Sequence, residues 1–227
     1  MKQNNKAEAG GAEWRCYTGQ EFRAAENENG EKTIEGHAAV YNRTTQIGCW
    51  FKEIIEPGAF DNADMTDVPL LVNHDMRKIP LARSRRNNGN STMRLSTDAT
   101  GLLINARLDA EKNAEAEQLF SAIQRGDVDG MSFSFSVARE EWDDLDSDMP
   151  TRRIKEFAKI YEVSAVTWPA YTDTDIHARA GNPPDGGRLA LENARQKALL
   201  DKGARQSVDT GGEIEKYKLR IGILGGM

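Results

Sequence analysis

The sequence predicts a mainly β (α+β) protein, and three observations carry that prediction. Stretches rich in Val, Ile, Thr, Phe and Tyr alternate with turn signals from residue 16 to residue 179. The segment "DGMSFSFSV" (129–137) alternates strictly, with Ser132, Ser134 and Ser136 set against Met131, Phe133 and Phe135. In an extended strand those two sets face opposite ways, so one face is all hydroxyl and the other apolar. Within this span, "DAEKNAEAEQLFSAIQRG" (109–126) is the clearest helix.

Taken in order, residues 1–15 are small and polar and read as a disordered leader. "TIEGHAAVYN" follows as a strand, and its Gly36 marks a bulge or a close approach of backbones. "CWFKEIIEPGAF" continues as strand and turns at Pro57-Gly58, and the apolar run of "DVPLLVNHD" leads directly into His74. "STMRLSTDATGLLINARL" reads as two antiparallel strands joined near Thr100-Gly101. In the helix, Ala116, Leu119, Phe120 and Ile123 recur at i, i+3, i+4 and i+7, with Asp109 as the expected N-cap and Gly126 as the stop.

The serine strand comes next and runs into "REEWDDLDSD", an acidic stretch expected to be a solvated hairpin tip. "RRIKEFAKIYEVSAVTWPAY" returns as a strand ended by Pro169. The predicted organisation is therefore a leader at 1–15, a core domain at 16–179, a linker at 180–187 around "GNPPDGG", and a C-terminal helix and tail at 188–227.

Composition excludes several classes. The net charge of −6, from 30 basic and 36 acidic residues among 227, gives no footprint for nucleic acid. Cys16 and Cys49 supply neither a disulfide framework nor a CxxC pair, which fits free thiols in a reducing cytosol. The N-terminal segment has no apolar signal core and no stretch approaches a membrane span, so a soluble, unsecreted protein is expected. Glycine-rich segments lack the spacing and lysine of a phosphate loop, and there is no HExxH or convincing metal cluster, so no cofactor is called for.

With three histidines in the chain, a histidine mechanism has few choices. His177 sits at the domain edge as a surface residue, and His37 lies mid-strand. His74 ends a hydrophobic strand, where the strand can hold it rigidly while its ring reaches a cleft, as a general base requires. A lone histidine at a strand end is still more often structural than catalytic. Ser132 follows Gly130-Met131, whose glycine permits a tight turn into the strand. A serine hydroxyl is a poor nucleophile until a base takes its proton, and that base needs a third group to orient it.

Glu162, in "IYEVSAVTWPAY", is a carboxylate within an apolar strand and requires a partner. That partner is either a catalytic group or an arginine such as Arg83 or Arg85. Asp75 and His37 are alternatives for the orienting role. A Cys49/His74 dyad is conceivable, although "GCWF" reads as a strand cysteine.

The ordered set "IEGHAAVYN", "EIIEPGAF", "VPLLVNHD", "GLLINARL", "IQRGDVDGMSFSFSV" and "YEVSAVTWPAY" resembles the prohead maturation serine proteases of tailed bacteriophages, distant relatives of the herpesvirus assemblin proteases. The resemblance covers about residues 17–179. It implies His74 as general base, Ser132 as nucleophile and Glu162 as third member, in a compact β-barrel flanked by helices. It also implies a protease that enters the procapsid, cuts the scaffold or scaffolding segment from capsid precursors, and finally degrades itself. The implied setting is the host cytoplasm and prohead interior, with homodimerisation by analogy.

Family members often carry Gly where Ser134 stands. On this reading the serine face looks into the site, and an extended substrate pairs with an open strand edge beside it. Backbone N–H groups in "PLARSRR" are the candidate oxyanion donors. The alternative is a non-enzymatic assembly or scaffolding module of the same fold, docked through the C-terminal helix.

Overall fold

Long β-hairpin strands form the spine of the protein. The structure, a computed structural model, describes residues 12–18, 22–167 and 186–201. His177, Pro169 and the segment 1–11 lie outside these residues. In chain order the elements begin with β1 (Glu13–Thr18), β2 (Arg23–Glu26), β3 (Lys32–Val40), β4 (Thr45–Ile47) and β5 (Phe51–Ile55). There follow β6 (Val68–Val72), β7 (Ala82–Ser84), β8 (Met93–Thr97) and β9 (Gly101–Leu108). The series closes with α1 (Ala114–Arg125), β10 (Gly130–Asp143) and β11 (Thr151–Val166). A separate second unit begins at Gly187, and helix α2 spans 186–201. An Arg188–Glu192 pair one turn apart links neighbouring side chains of this helix.

The strands form two sheets, one of seven strands and one of four, and neither closes on itself. The barrel implied by the resemblance is therefore corrected to an open, mostly β architecture with α1 as the helix of the first unit among the described residues. The reason lies in how β11 is shared. One edge of this 16-residue strand pairs with β10; the other pairs in parallel with β5 at Thr151–Ile154 and with β6 at Val163–Ala165. Strands β2-β3-β9-β8 pair among themselves instead of closing the first sheet.

The core fills the space between these elements. Met131, Phe133 and Phe135 point inward and are buried, as their alternation predicts. Phe133 stacks on Phe135 with centroids 4.7 Å apart, and Phe60 stacks on Phe157 at 4.5 Å. Ile34, Leu102 and Ile104 of the second sheet belong to the same cluster. Two glycines let the backbones approach. A Cβ at Gly101 would lie 1.9 Å from the Ala39 carbonyl oxygen, and one at Gly36 would lie 2.9 Å from the Phe22 ring.

Three local expectations change. Helix α1 begins at Ala114, capped by Asn113 and not Asp109, because the Asn113 side chain accepts from the N–H groups of Glu115 and Ala116. Its apolar stripe and Gly126 stop are as predicted. Strand β1 includes Glu13, Trp14 and Arg15, residues whose composition reads as leader. The acidic stretch is not all solvated tip: β10 runs through it to Asp143, Glu140 bonds Arg152, and Trp142 packs edge-on against Phe51.

Arg152 joins β1 to the rest of the first sheet. Its side chain is 1% exposed and meets Glu13 at 2.7 Å, Glu53 at 3.1 Å and Glu140 at 2.5 Å. Arg15 adds bonds to Glu53 and Glu13, so two guanidinium groups and three carboxylates tie β1 to β5, β10 and β11. Burial pushes the Glu13 carboxyl up, but Arg152 and Arg15 more than offset this and hold it below the usual carboxylate range.

Candidate active site

The site is built on the face of β10 and β11 opposite the aromatic core. In their antiparallel register Ser132 lies across from Ser164, and Ser134 lies across from Glu162. These four side chains share one face because successive residues of a strand alternate. His74 comes from the other neighbour of β11: β6 pairs Leu71 with Ser164 and Val72 with Ala165, and the chain then turns over β11.

That turn is locked from below. Asn73 and His74 both have left-handed backbones, at φ +52° and +59°. The Asn73 N–H donates to the Ala165 carbonyl at 2.9 Å, and its side-chain oxygen accepts from the Thr167 N–H at 3.0 Å and hydroxyl at 3.2 Å. The His74 N–H donates to Ser164 Oγ at 3.2 Å. A conformation unfavourable for a non-glycine residue is thus over-determined by its neighbours.

His74 Nδ1 lies 2.6 Å from Glu162 Oε1, and Ser164 Oγ donates to Glu162 Oε2 at 2.6 Å. A carboxylate offers only lone pairs, so Nδ1 supplies the hydrogen, and in the neutral imidazole Nε2 is then the acceptor. Glu162 is 2% exposed, whereas the His74 side chain is 26% exposed. The partner required by the carboxylate is therefore His74 with Ser164, not an arginine; Arg83 pairs with Asp67 at 2.6 Å.

The alternatives for the orienting role are engaged elsewhere. His37 Nε2 meets Asp98 at 2.9 Å, and Asp75 holds Arg77 at 2.9 Å. Cys49 sits exposed in the turn between β4 and β5, whereas His74 follows β6.

Ser132 is on the right face but its hydroxyl is committed elsewhere, donating to the Arg15 carbonyl of β1 at 2.8 Å. Ser132, Ser134 and Ser136 are all buried, so the serine face is covered and is not an open groove. Neither edge of β10 is open at Ser132, because β1 and β11 pair with it on both sides. Trp14 of β1 faces the site, its ring centroid 5.8 Å from that of His74.

Sequence reasoning missed Ser164, Asn73, Thr167 and Trp14. Ser164 had a legible signal, since it stands two residues after Glu162 on the same strand face. The others depend on which strands become neighbours.

Residues 20–183 match the family described as caudovirus prohead serine protease. The chain belongs to this family. Its serine strand, NHD turn and Glu162 all fall within the matched span, whereas β1 with Trp14 precedes it. The chain is 33% identical over 149 residues to the prohead protease of Enterobacteria phage HK97. That similarity covers 64% of this chain and 59% of the relative, so it spans less than two thirds of the relative's length. Among solved structures, the bacteriophage T4 capsid assembly protease is similar with a TM-score of 0.43 at 14% identity, over 70% of this chain and 98% of that one. Among the described residues no group of His, Cys, Asp or Glu is placed to hold a metal, and no helix is long and apolar enough to cross a membrane.

Proposed function

We propose that this chain is a serine endopeptidase of phage head maturation, with Ser132 as nucleophile, His74 as general base and Glu162 as the group that orients it. The observation that carries the proposal is the 2.6 Å contact between His74 Nδ1 and a buried glutamate, one strand away from a serine on the same sheet face. Family membership gives the reaction class. Ser132 Oγ attacks the scissile carbonyl carbon while His74 Nε2 takes its proton. Collapse of the tetrahedral intermediate breaks the C–N bond, and the imidazolium returns the proton to the leaving amine. Water then hydrolyses the acyl-enzyme with His74 again as base. For the first step Ser132 rotates about χ1 and gives up the Arg15 carbonyl.

The substrates on this reading are the major capsid protein precursor with its scaffold segment, and the protease itself, cut inside the prohead within the host cytoplasm. The C-terminal segment at 188–227, whose helix α2 starts two residues earlier than expected, at 186 and inside the predicted linker, is then a docking or self-cleaved segment. A homodimer is part of the same reading.

A second reading, a non-enzymatic assembly module, is favoured by one observation: the Ser132 hydroxyl is bonded to β1 and not to His74. Co-expression with the capsid precursor of the same genome separates the two. Wild type, Ser132→Ala and Glu162→Gln are read by intact-mass spectrometry. The protease reading expects the precursor to shorten with wild type alone at full rate, to stay whole with Ser132→Ala, and to be cut on the order of a hundredfold or more slowly with Glu162→Gln. Undiminished cutting by Ser132→Ala removes Ser132 as nucleophile. An intact precursor in all three, with the chain still entering particles, supports the assembly module.

A further inference from the structure

We infer that Ser164 is a positioning residue of this site, acting on both the backbone and the ring of His74. The inference rests on the protease reading above and adds to it a residue outside the triad.

Three contacts close a ring. The His74 N–H donates to Ser164 Oγ at 3.2 Å, Ser164 Oγ donates to Glu162 Oε2 at 2.6 Å, and Glu162 Oε1 meets His74 Nδ1 at 2.6 Å. One hydroxyl therefore uses its lone pair on the main chain of the base and its hydrogen on the carboxylate that orients the base. Both members of the strand pair are fully enclosed: Ser164 is 0% exposed and Glu162 2%. Water is not at hand to replace either bond.

The two functions need each other. Glu162 can turn about its terminal torsion, which is soft, and then Oε1 would leave Nδ1. The bond to Oε2 prevents that rotation and fixes the plane of the carboxylate. His74, for its part, stands at φ +59°, a backbone region that costs free energy in a non-glycine residue. Its N–H needs a partner in that turn, and Ser164 is the partner. The same hydroxyl thus fixes where the imidazole begins and which way it points, leaving Nε2 as the acceptor.

Location supports a positioning role over a reactive one. Ser164 lies on β11 directly across from Ser132, but its hydrogen goes to Glu162. With its hydrogen on the orienting carboxylate and a lone pair on the His74 N–H, this hydroxyl is engaged with the base on both sides.

Ser164→Ala and Ser164→Thr, the second keeping the hydroxyl, test this in the full chain. Cleavage of a peptide copied from the precursor junction is measured for both, alone and combined with Glu162→Gln. Ser164→Ala is expected to lower kcat about ten- to a hundredfold, with KM changed less than about twofold. In the Glu162→Gln background the same change costs less, because the share of its effect that runs through the carboxylate is already lost and only the bond to the His74 N–H remains to be removed. Ser164→Thr recovers most of the activity.

A second readout does not use activity. The Nδ1 proton of His74 gives a far-downfield proton NMR signal, assigned by its loss in His74→Ala, and this signal shifts or broadens in Ser164→Ala. A full kcat together with an unmoved signal in folded Ser164→Ala overturns the inference while leaving the protease reading intact. Equal costs in both backgrounds also overturn it. Should Ser164→Ala fail to fold, Ser164→Cys and Ser164→Thr are compared instead, and equal activity and an equal signal for the two overturn the inference. Undiminished cleavage by His74→Ala strikes at the protease reading itself, and the NMR comparison still decides whether Ser164 orders the His74–Glu162 pair.

Discussion

Trp14 packs its indole against the imidazole of His74, with ring centroids 5.8 Å apart and planes inclined by 46°. The contact joins β1, which precedes the family-matched span, to the residue most exposed within the candidate triad. It forms one wall around the imidazole and limits the orientations of the ring. Trp14→Ala is expected to lower kcat/KM about fivefold, the kinetic equivalent of ~1 kcal/mol for one aromatic contact. Trp14→Phe keeps most of the rate. Peptide cleavage at fixed pH checks this, and equal rates for all three proteins would remove Trp14 from the site.

Arg152 has a different role, which is to hold β1 in place. Replacing it with Leu leaves Glu13 and Glu53 buried with Arg15 as their remaining guanidinium partner among the contacts described. Removing one partner from a buried ionic network costs about 3–5 kcal/mol. Urea unfolding of Arg152→Leu should show a loss of that size. A double variant that adds Glu13→Gln should recover part of it, because Glu53 then keeps Arg15 as a one-to-one partner and neither charge is left uncompensated. A loss under about 1 kcal/mol for Arg152→Leu would show that the network is not what anchors β1.

Acid should attack the same anchor. Glu13 is held below the usual carboxylate range in the folded protein, because the pull of Arg152 and Arg15 exceeds the penalty of burial. A depressed folded-state value means that the unfolded chain takes up a proton first. The contribution of Glu13 to stability is therefore complete above the ordinary glutamate range and shrinks as pH falls through that range, vanishing below the folded-state value. Unfolding free energies measured across the acid limb should fall less steeply for Glu13→Gln than for wild type. Identical slopes would assign the acid loss to other carboxylates.

Much of this protein is legible along the chain because the relevant rules are local. Strict alternation in "GMSFSFS" separated the buried Met131, Phe133 and Phe135 from the serine face, and a period of 3.6 located α1 and its buried stripe. The same period-two rule that placed Glu162 on a strand face places Ser164 beside it, so that residue was within reach. The cap of α1 was less legible, since Asp109 and Asn113 both have suitable side chains and only the folded backbone selects Asn113.

What the sequence by itself determined is the longer strands and helix α1, the direction each side chain faces along them, and the family, through the ordered motifs around His74, Ser132 and Glu162. Those properties follow from spacing over a few residues. The start of β1 and the short strands β2, β4 and β7 were not among the elements so determined. The tertiary structure alone decided that the strands form two open sheets, that β11 divides one edge between β5 and β6, and that β1 seals the outer edge of the serine strand. It also decided that Glu162 meets His74 across 88 residues of chain and that Trp14 reaches the same imidazole. Such contacts depend on strand register between distant segments, which is set by burying all the apolar faces at once and pairing every buried charge, and no local pattern encodes that.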